Sequence, residues 1–255
     1  RPARHRKFHT TAEKPGATDF MVAEAQSLNY ACRRTGPAEG TVNKVKNTMP
    51  LAAMPSDKTD AALAKVNRFY PQFIAAKDTL ETGFLNIGAI FHPGPTLLNI
   101  ARIEGQETFR HYIDGITPCV GTLLEAIDAE RCAVAAALDT PTLTTVQWLK
   151  SVYGEDMPDD TGIFDAVQKQ SAYKDIKASN DPYVRYITED VPMSLGPLAE
   201  LGTVAGVPTP AMDAVISIAS IIHKTDYRAA GRNLDALGIR GMDKAALRTF
   251  VETGN

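Results

Sequence analysis

Only three cysteines occur in the chain, Cys32, Cys119 and Cys132, and no two of them form a C-x-x-C unit. They are too few and too scattered for a disulfide framework, so a reduced, cytoplasmic setting is the expectation. No run reaches the roughly 18 apolar residues that a membrane span needs, and no membrane partner is expected. H-E-x-x-H, G-x-S-x-G and the P-loop pattern are all missing, which removes the chemistries those motifs serve. The five histidines do not cluster, and no metal is expected, because a closed zinc site wants about four convergent ligands. No G-x-G-x-x-G follows an early strand, so nothing here can form the tight turn that receives a dinucleotide pyrophosphate. A formal charge of -3 at pH 7 selects no polyanion, and no nucleic-acid partner is expected.

What remains is an ordinary globular composition, 44% hydrophobic and 22% charged, with enough chain for one large core or two modest domains. Residues 1–17 are basic and then rich in Thr, Gly and Pro; a disordered arm holding His5 and His9 is expected there. Residues 20–24 and 41–46 read as short strands, with a turn at 32–37 between them. Residues 58–69 place Ala62, Leu63, Val66 and Phe69 on one helical face, before a stop at Pro71. Strand, strand and helix in that order suggest the trailing part of an incomplete α/β domain over 18–85. From residue 86 to 255 helical patterns dominate. The longest covers 116–138, shorter ones cover 142–153 and 162–170, and another is opened by Pro208-Thr209-Pro210 and runs to about His223. Two more, joined by a glycine hinge, close the chain, with Asp243 as N-cap of the last. The expected fold is therefore mainly α, an all-helical C-terminal domain after a partial α/β, Rossmann-remnant segment.

His92 is the best candidate for acid/base work. Pro93 follows it, which should restrain His92 to extended geometry and present the ring from a stiff corner. An imidazole suits proton exchange, and a carboxylate behind it would fix its tautomer. The bland alternative is a buried histidine bonded to backbone at a helix start. A second polar knot lies between Pro182 and Pro192, where Arg185 could hold a substrate carboxylate in a forked pair and Asp190 could orient an imidazole. An internal Arg185 pair with Glu189 or Asp190, closing a loop, is equally consistent with the spacing. Asn99, one turn beyond Pro95, could reach back toward the same pocket. Glu104 would pair with Arg102 or a neighbouring helix. Asp128, Glu130 and Arg131 should form buried pairs between helices.

The stretch HPGPTLLNIARIEG, with LETGFLNIGAIF before it, resembles the signature that opens the helical domain of the octopine/nopaline-type opine dehydrogenases. The likeness continues through Tyr112-x-x-Gly115-x-Thr117-Pro118, the Asp128–Arg131 segment and RYITEDVPMSLGPLAELGTVAGVPTP, and AEAQSLNYACRRTGP resembles late strands of the nucleotide-binding domain. This resemblance implies NAD- or NADP-dependent reductive condensation of an amino acid with a 2-oxo acid. It also implies catalytic roles for His92 and Asp190, an oxo-acid contact for Arg185 and a substrate-side place for Asn99. The family's Gly-rich turn precedes this region, and no initiating methionine is present. The expectation is a fragment of a longer dehydrogenase, inactive alone and unable to bind NADH tightly. A homo-oligomer remains open. The alternatives are a 2-hydroxy-acid or ketopantoate-like reductase, and a non-catalytic helical binding or assembly domain.

Overall fold

The computed structural model describes residues 21–34, 36–154, 156–158 and 160–254. The basic stretch 1–17, with His5 and His9, lies outside them. Four strands come first, β1 (Val22–Ala25), β2 (Tyr30–Arg34), β3 (Gly40–Val45) and β4 (Met49–Met54), and β5 (Phe73–Ala75) follows the first helix. They form two sheets. One has the order β1-β4-β5, with β1 antiparallel and β5 parallel to the central strand. The other is the β2–β3 hairpin, with an irregularity between Ala31 and Cys32.

Two strand expectations need correction. Residues Cys32, Arg33 and Arg34 are strand, paired with Val42, Thr41 and Gly40; among the described residues the chain reverses over 36–39, where Gly36 N–H donates to the Glu39 carbonyl. Its sequence, Cys32-Arg33-Arg34, lacks the apolar–polar alternation that marks a strand, so the ladder could not be read in advance. β4 is the opposite case. MPLAAM is buried along nearly its whole length, and a short continuous apolar run carries no period to read.

The helices follow from β4 onward. α1 (Thr59–Val66) packs Ala62 and Val66 on β4. It stops before Phe69, which is 76% exposed rather than part of the buried face. α2 (Thr79–Phe84) is capped by Asp78, whose Oδ1 accepts from Leu80 and Glu81 N–H at 2.8 and 3.2 Å. α3 (Gly88–Phe91), α4 (Pro93–Leu98) and α5 (Ile100–Glu104) form a broken rod. α6 (Pro118–Ala137) is the central helix, with Thr117 as N-cap and Pro118 in its first turn. α7 (Thr145–Tyr153) opens with a capping box between Thr144 and Gln147. After it come α8 (Ile163–Lys169), α9 (Arg185–Thr188), a π-helical turn over Val191–Leu195, α10 (Gly196–Ala205) and α11 (Pro210–His223). α12 (Tyr227–Ala230), α13 (Leu234–Leu237) and α14 (Lys244–Thr253) end the chain. Asp243 caps α14 by accepting from Ala246 N–H at 2.8 Å. Beyond β5, the one β contact among the described residues is an isolated bridge between Arg110 and Lys177. No helix of the described residues is long and apolar enough to cross a membrane.

Buried polar side chains tie these helices together. Arg131, fully buried on α6, donates to Asp128 Oδ1 at 2.6 and 3.0 Å and to the Phe84 and Leu143 carbonyls at 2.6 and 2.5 Å. Its partner Asp128 also accepts from Thr145 N–H and Oγ1–H, both at 2.8 Å. Glu130, on the same helix, caps α11 by accepting from Ala211 and Met212 N–H at 2.6 and 2.9 Å. Arg248 on α14 reaches back to the buried Asp78 at 2.6 Å. The acidic and basic cluster of α6 is thus scaffold, and its charges leave nothing over for a ligand.

Candidate functional site

His92 sits at the joint of α3 and α4. Its backbone is right-handed helical, φ -103 and ψ -59, not extended as the following proline suggested. Helix hydrogen bonding outweighs the pre-proline preference here. His92 N–H donates to the Gly88 carbonyl at 3.1 Å, and the His92 carbonyl accepts from Thr96 N–H and Oγ1–H at 3.2 and 2.7 Å. The corner is stiff, but helix bonds make it so.

From that corner the ring meets a carboxylate 98 residues further along. His92 Nδ1 lies 2.8 Å from Asp190 Oδ2. Asp190 stands between α9 and the π-helical turn, 8% exposed. The other ring nitrogen, Nε2, lies 3.1 Å from Tyr112 Oη. Tyr186 stacks flat on the imidazole, centroids 3.9 Å apart and planes 8° apart. An ionised carboxylate only accepts, so the neutral ring carries its hydrogen on Nδ1 and turns the Nε2 lone pair toward Tyr112. Nε2 is therefore the atom from which a proton can be given to, or taken from, a molecule in front of the ring.

Gly88 makes this approach fit. A Cβ there would lie 3.2 Å from Asp190 Oδ1 and 3.3 Å from His92 Nδ1, so a larger residue would press on both partners. Tyr112 is held from below. It stacks on the buried Tyr173 at 4.3 Å, and its loop is closed by Arg110 and Asp114, joined at 2.6 Å. The Arg110 guanidinium beside Asp114 holds that carboxyl down to about 2.

The ring, Asp190, Tyr112 and Tyr186 all line a cavity of about 860 Å³ that Ser27, Leu28 and Tyr30 of the strand segment line as well. Lys46, Lys177, Arg185 and Arg232 also line it, against the carboxylates Glu189 and Asp190. An excess of cations in a cleft suits an anionic guest.

Of the residues singled out from sequence, His92, Asp190 and Arg185 reach this cavity. Arg185 is 69% exposed on its side chain and lies 3.5 Å from Glu189, a loose pair that a stronger anion could replace. Asn99 does not belong to the lining, which corrects its expected substrate-side place. Its Nδ2 donates to the Pro95 and Gly115 carbonyls, each at 2.9 Å, and its Oδ1 accepts from Arg102 at 3.0 Å. Every polar atom of that side chain is occupied by scaffold. Arg102 pairs with Glu107 at 2.6 Å, while Glu104 is exposed. His111 is a core histidine, with Nε2 3.0 Å from the Phe91 carbonyl. His223 lies 2.6 Å from Tyr227 Oη, and burial pushes its pKa down from 6.5. Sequence reasoning missed Tyr186, Gly88 and Arg232. It quoted Tyr112 without giving it a role, although that residue stands in a motif that carried the resemblance.

Residues 75–223 match the family described as NAD/NADP octopine/nopaline dehydrogenase, alpha-helical domain. An opine dehydrogenase from Arthrobacter sp. (strain 1C) is 39% identical over 246 residues, covering 96% of this chain and 68% of the relative. A structure of octopine dehydrogenase with NADH and L-arginine superposes with a TM-score of 0.68 at 22% identity, covering 92% of this chain and 65% of that one. One of octopine dehydrogenase with NADH and pyruvate gives 0.63 at 21% identity, covering 92% and 64%. At such identities the solved structures show the fold. The chain thus spans about two thirds of the length of these proteins. It belongs to the NAD/NADP octopine/nopaline dehydrogenase family.

Proposed function

We propose that this chain carries the substrate-binding and proton-transfer part of an opine dehydrogenase, which joins an amino acid to a 2-oxo acid as a secondary-amine dicarboxylate. The observation that carries this reading is the 2.8 Å contact of His92 Nδ1 with Asp190, with Nε2 against Tyr112 Oη and all three residues lining a cation-rich cavity. In the reading, amine and ketone condense to an imine with loss of water, and bound NADH or NADPH would supply the hydride that reduces it. His92 Nε2 handles the proton of the reacting group, and Asp190 steadies the imidazolium that forms when the ring is protonated. Arg185 exchanges its loose Glu189 contact for the carboxylate of the oxo acid. The solved relatives described with L-arginine and with pyruvate, each with NADH, support this substrate class.

The dinucleotide is assigned no contact. In the described residues β1 is followed by Gln26-Ser27-Leu28-Asn29, which has no glycine for a phosphate turn. The division at about residue 86, between the trailing part of a nucleotide-binding domain and a helical catalytic domain, belongs to the same proposal.

The test joins the chain to the dinucleotide-binding segment of the Arthrobacter relative and follows NADH and NADPH oxidation with pyruvate and a panel of L-amino acids. Oxidation that requires the amino acid and yields a secondary-amine dicarboxylate is expected. Oxidation independent of amino acid, with a hydroxy acid as product, would mark a ketopantoate-like reductase instead. No oxidation with any pair would favour a binding module.

A further inference from the structure

Arg232 is a buried guanidinium with almost nothing to hold. It is 9% exposed, yet among the described residues no carboxylate pairs with it. Its one side-chain bond is from Nη1 to the Met193 carbonyl at a long 3.3 Å. A guanidinium offers five N–H donors, so most of its capacity is unspent. The side chain lines the cavity that His92 and Asp190 share. Burial without a counter-charge pushes its pKa below the ordinary guanidinium value.

The position is built rather than incidental. Arg232 N–H donates to the Pro192 carbonyl at 2.9 Å. Gly231, just before it, lies so close to the turn after Asp190 that a Cβ would come within 2.6 Å of the Pro192 carbonyl oxygen. The guanidinium is thereby fixed to the same turn that carries Asp190. A buried charge left unpaired costs folding free energy, and a site that meets an anion at the moment of binding recovers that cost.

We infer that Arg232 is a second anion receptor of the cavity and holds the α-carboxylate of the amino-acid substrate, leaving the oxo-acid carboxylate to Arg185. This assignment rests on the dicarboxylate reading above. A secondary-amine dicarboxylate carries two anionic groups flanking one nitrogen, and two forked cations on one cavity match it.

Calorimetric titration of the chain itself tests the inference with two probes. One is 2,2'-iminodipropionate, with both carboxylates. The other is N-ethylalanine, which keeps only the amino-acid carboxylate. Arg232→Met should weaken both probes by at least about tenfold, while Arg185→Met should weaken only the dicarboxylate. Arg232→Lys should recover part of the loss, since it restores charge without the fork. The melting temperature of ligand-free Arg232→Met should equal or exceed that of the parent, because an unpaired buried charge has been removed. A marked fall in that temperature would show a structural pairing and overturn the inference. Unchanged probe binding in Arg232→Met would also overturn it, while leaving the opine reading intact. If the parent binds both probes equally and Arg232→Met loses both, the anion receptor stands and the dicarboxylate reading fails. If the parent binds neither probe, both fall.

Discussion

Arg131 and Arg232 are both guanidiniums withdrawn from water, and their surroundings could hardly differ more. Arg131, at the middle of α6, has a carboxylate, two backbone carbonyls and the Thr142 hydroxyl within 3.0 Å. Arg232, on the cavity wall, has one carbonyl at 3.3 Å. The first charge is consumed by the fold, joining α2, α6 and the start of α7. The second is kept available by the fold. Asn99 and His92 differ in what holds them rather than in spare capacity: the Asn99 amide is taken by two backbone carbonyls and Arg102 away from the cavity, whereas both partners of the His92 ring, Asp190 and Tyr112, line it. Scaffold and site are told apart by where a polar group's partners lie and, for the two arginines, by how much hydrogen-bonding capacity is already taken.

The sharpest way to break this comparison is to remove the consumed charge. Arg131→Met should lower unfolding stability by about 3–5 kcal/mol in urea melts, because Asp128 is left buried and unpaired. A loss no larger than that of Arg232→Met would erase the distinction. Asn99→Ala should cost about 1–3 kcal/mol, since the Pro95 and Gly115 carbonyls lose their donor, and should leave probe affinity unchanged. An affinity loss without a stability loss would return Asn99 to the substrate. Gly88→Ala tests the space around the dyad. Its Cβ forces Asp190 or His92 to give by a few tenths of an ångström, and the expected cost is within about 1 kcal/mol, with a displaced His92 ring resonance.

The smallest effect is a pH dependence. Burial holds the His223 pKa below 6.5 in the folded chain. The unfolded chain therefore takes up this proton first as pH falls. The associated stability is fully present above 6.5 and is lost as pH drops toward the folded value. His223→Gln should flatten that part of the profile in urea melts between about pH 7.5 and about pH 5. An unchanged slope would place the titration elsewhere.

Local chemistry explains what could be read in advance. The last helix announced itself through Asp243, because caps are local in sequence; the caps at Thr117 and at Thr144 with Gln147 are equally local but were not read. β4 was hidden by its own burial, and β2 by a sequence, YACRR, with no apolar–polar alternation. His92 was visible as an imidazole beside proline, although its backbone turned out helical. Its approach to Asp190 spans 98 residues, and no spacing rule connects them; the resemblance to a known family supplied that pairing. Arg232 could not be found from sequence at all. An arginine with no partner looks the same in sequence as one with several, and only the packed structure shows which it is.

The central claim is that Asp190 fixes the His92 ring so that Nε2 faces the substrate. Nitrogen-15 spectra of histidine-labelled chain report directly which ring nitrogen carries the hydrogen. In the neutral ring the account predicts the proton on Nδ1 of His92, reverting to Nε2 when Asp190 is replaced by alanine. A His92 ring already protonated on Nε2 in the unaltered chain, and indifferent to Asp190→Ala, would contradict it.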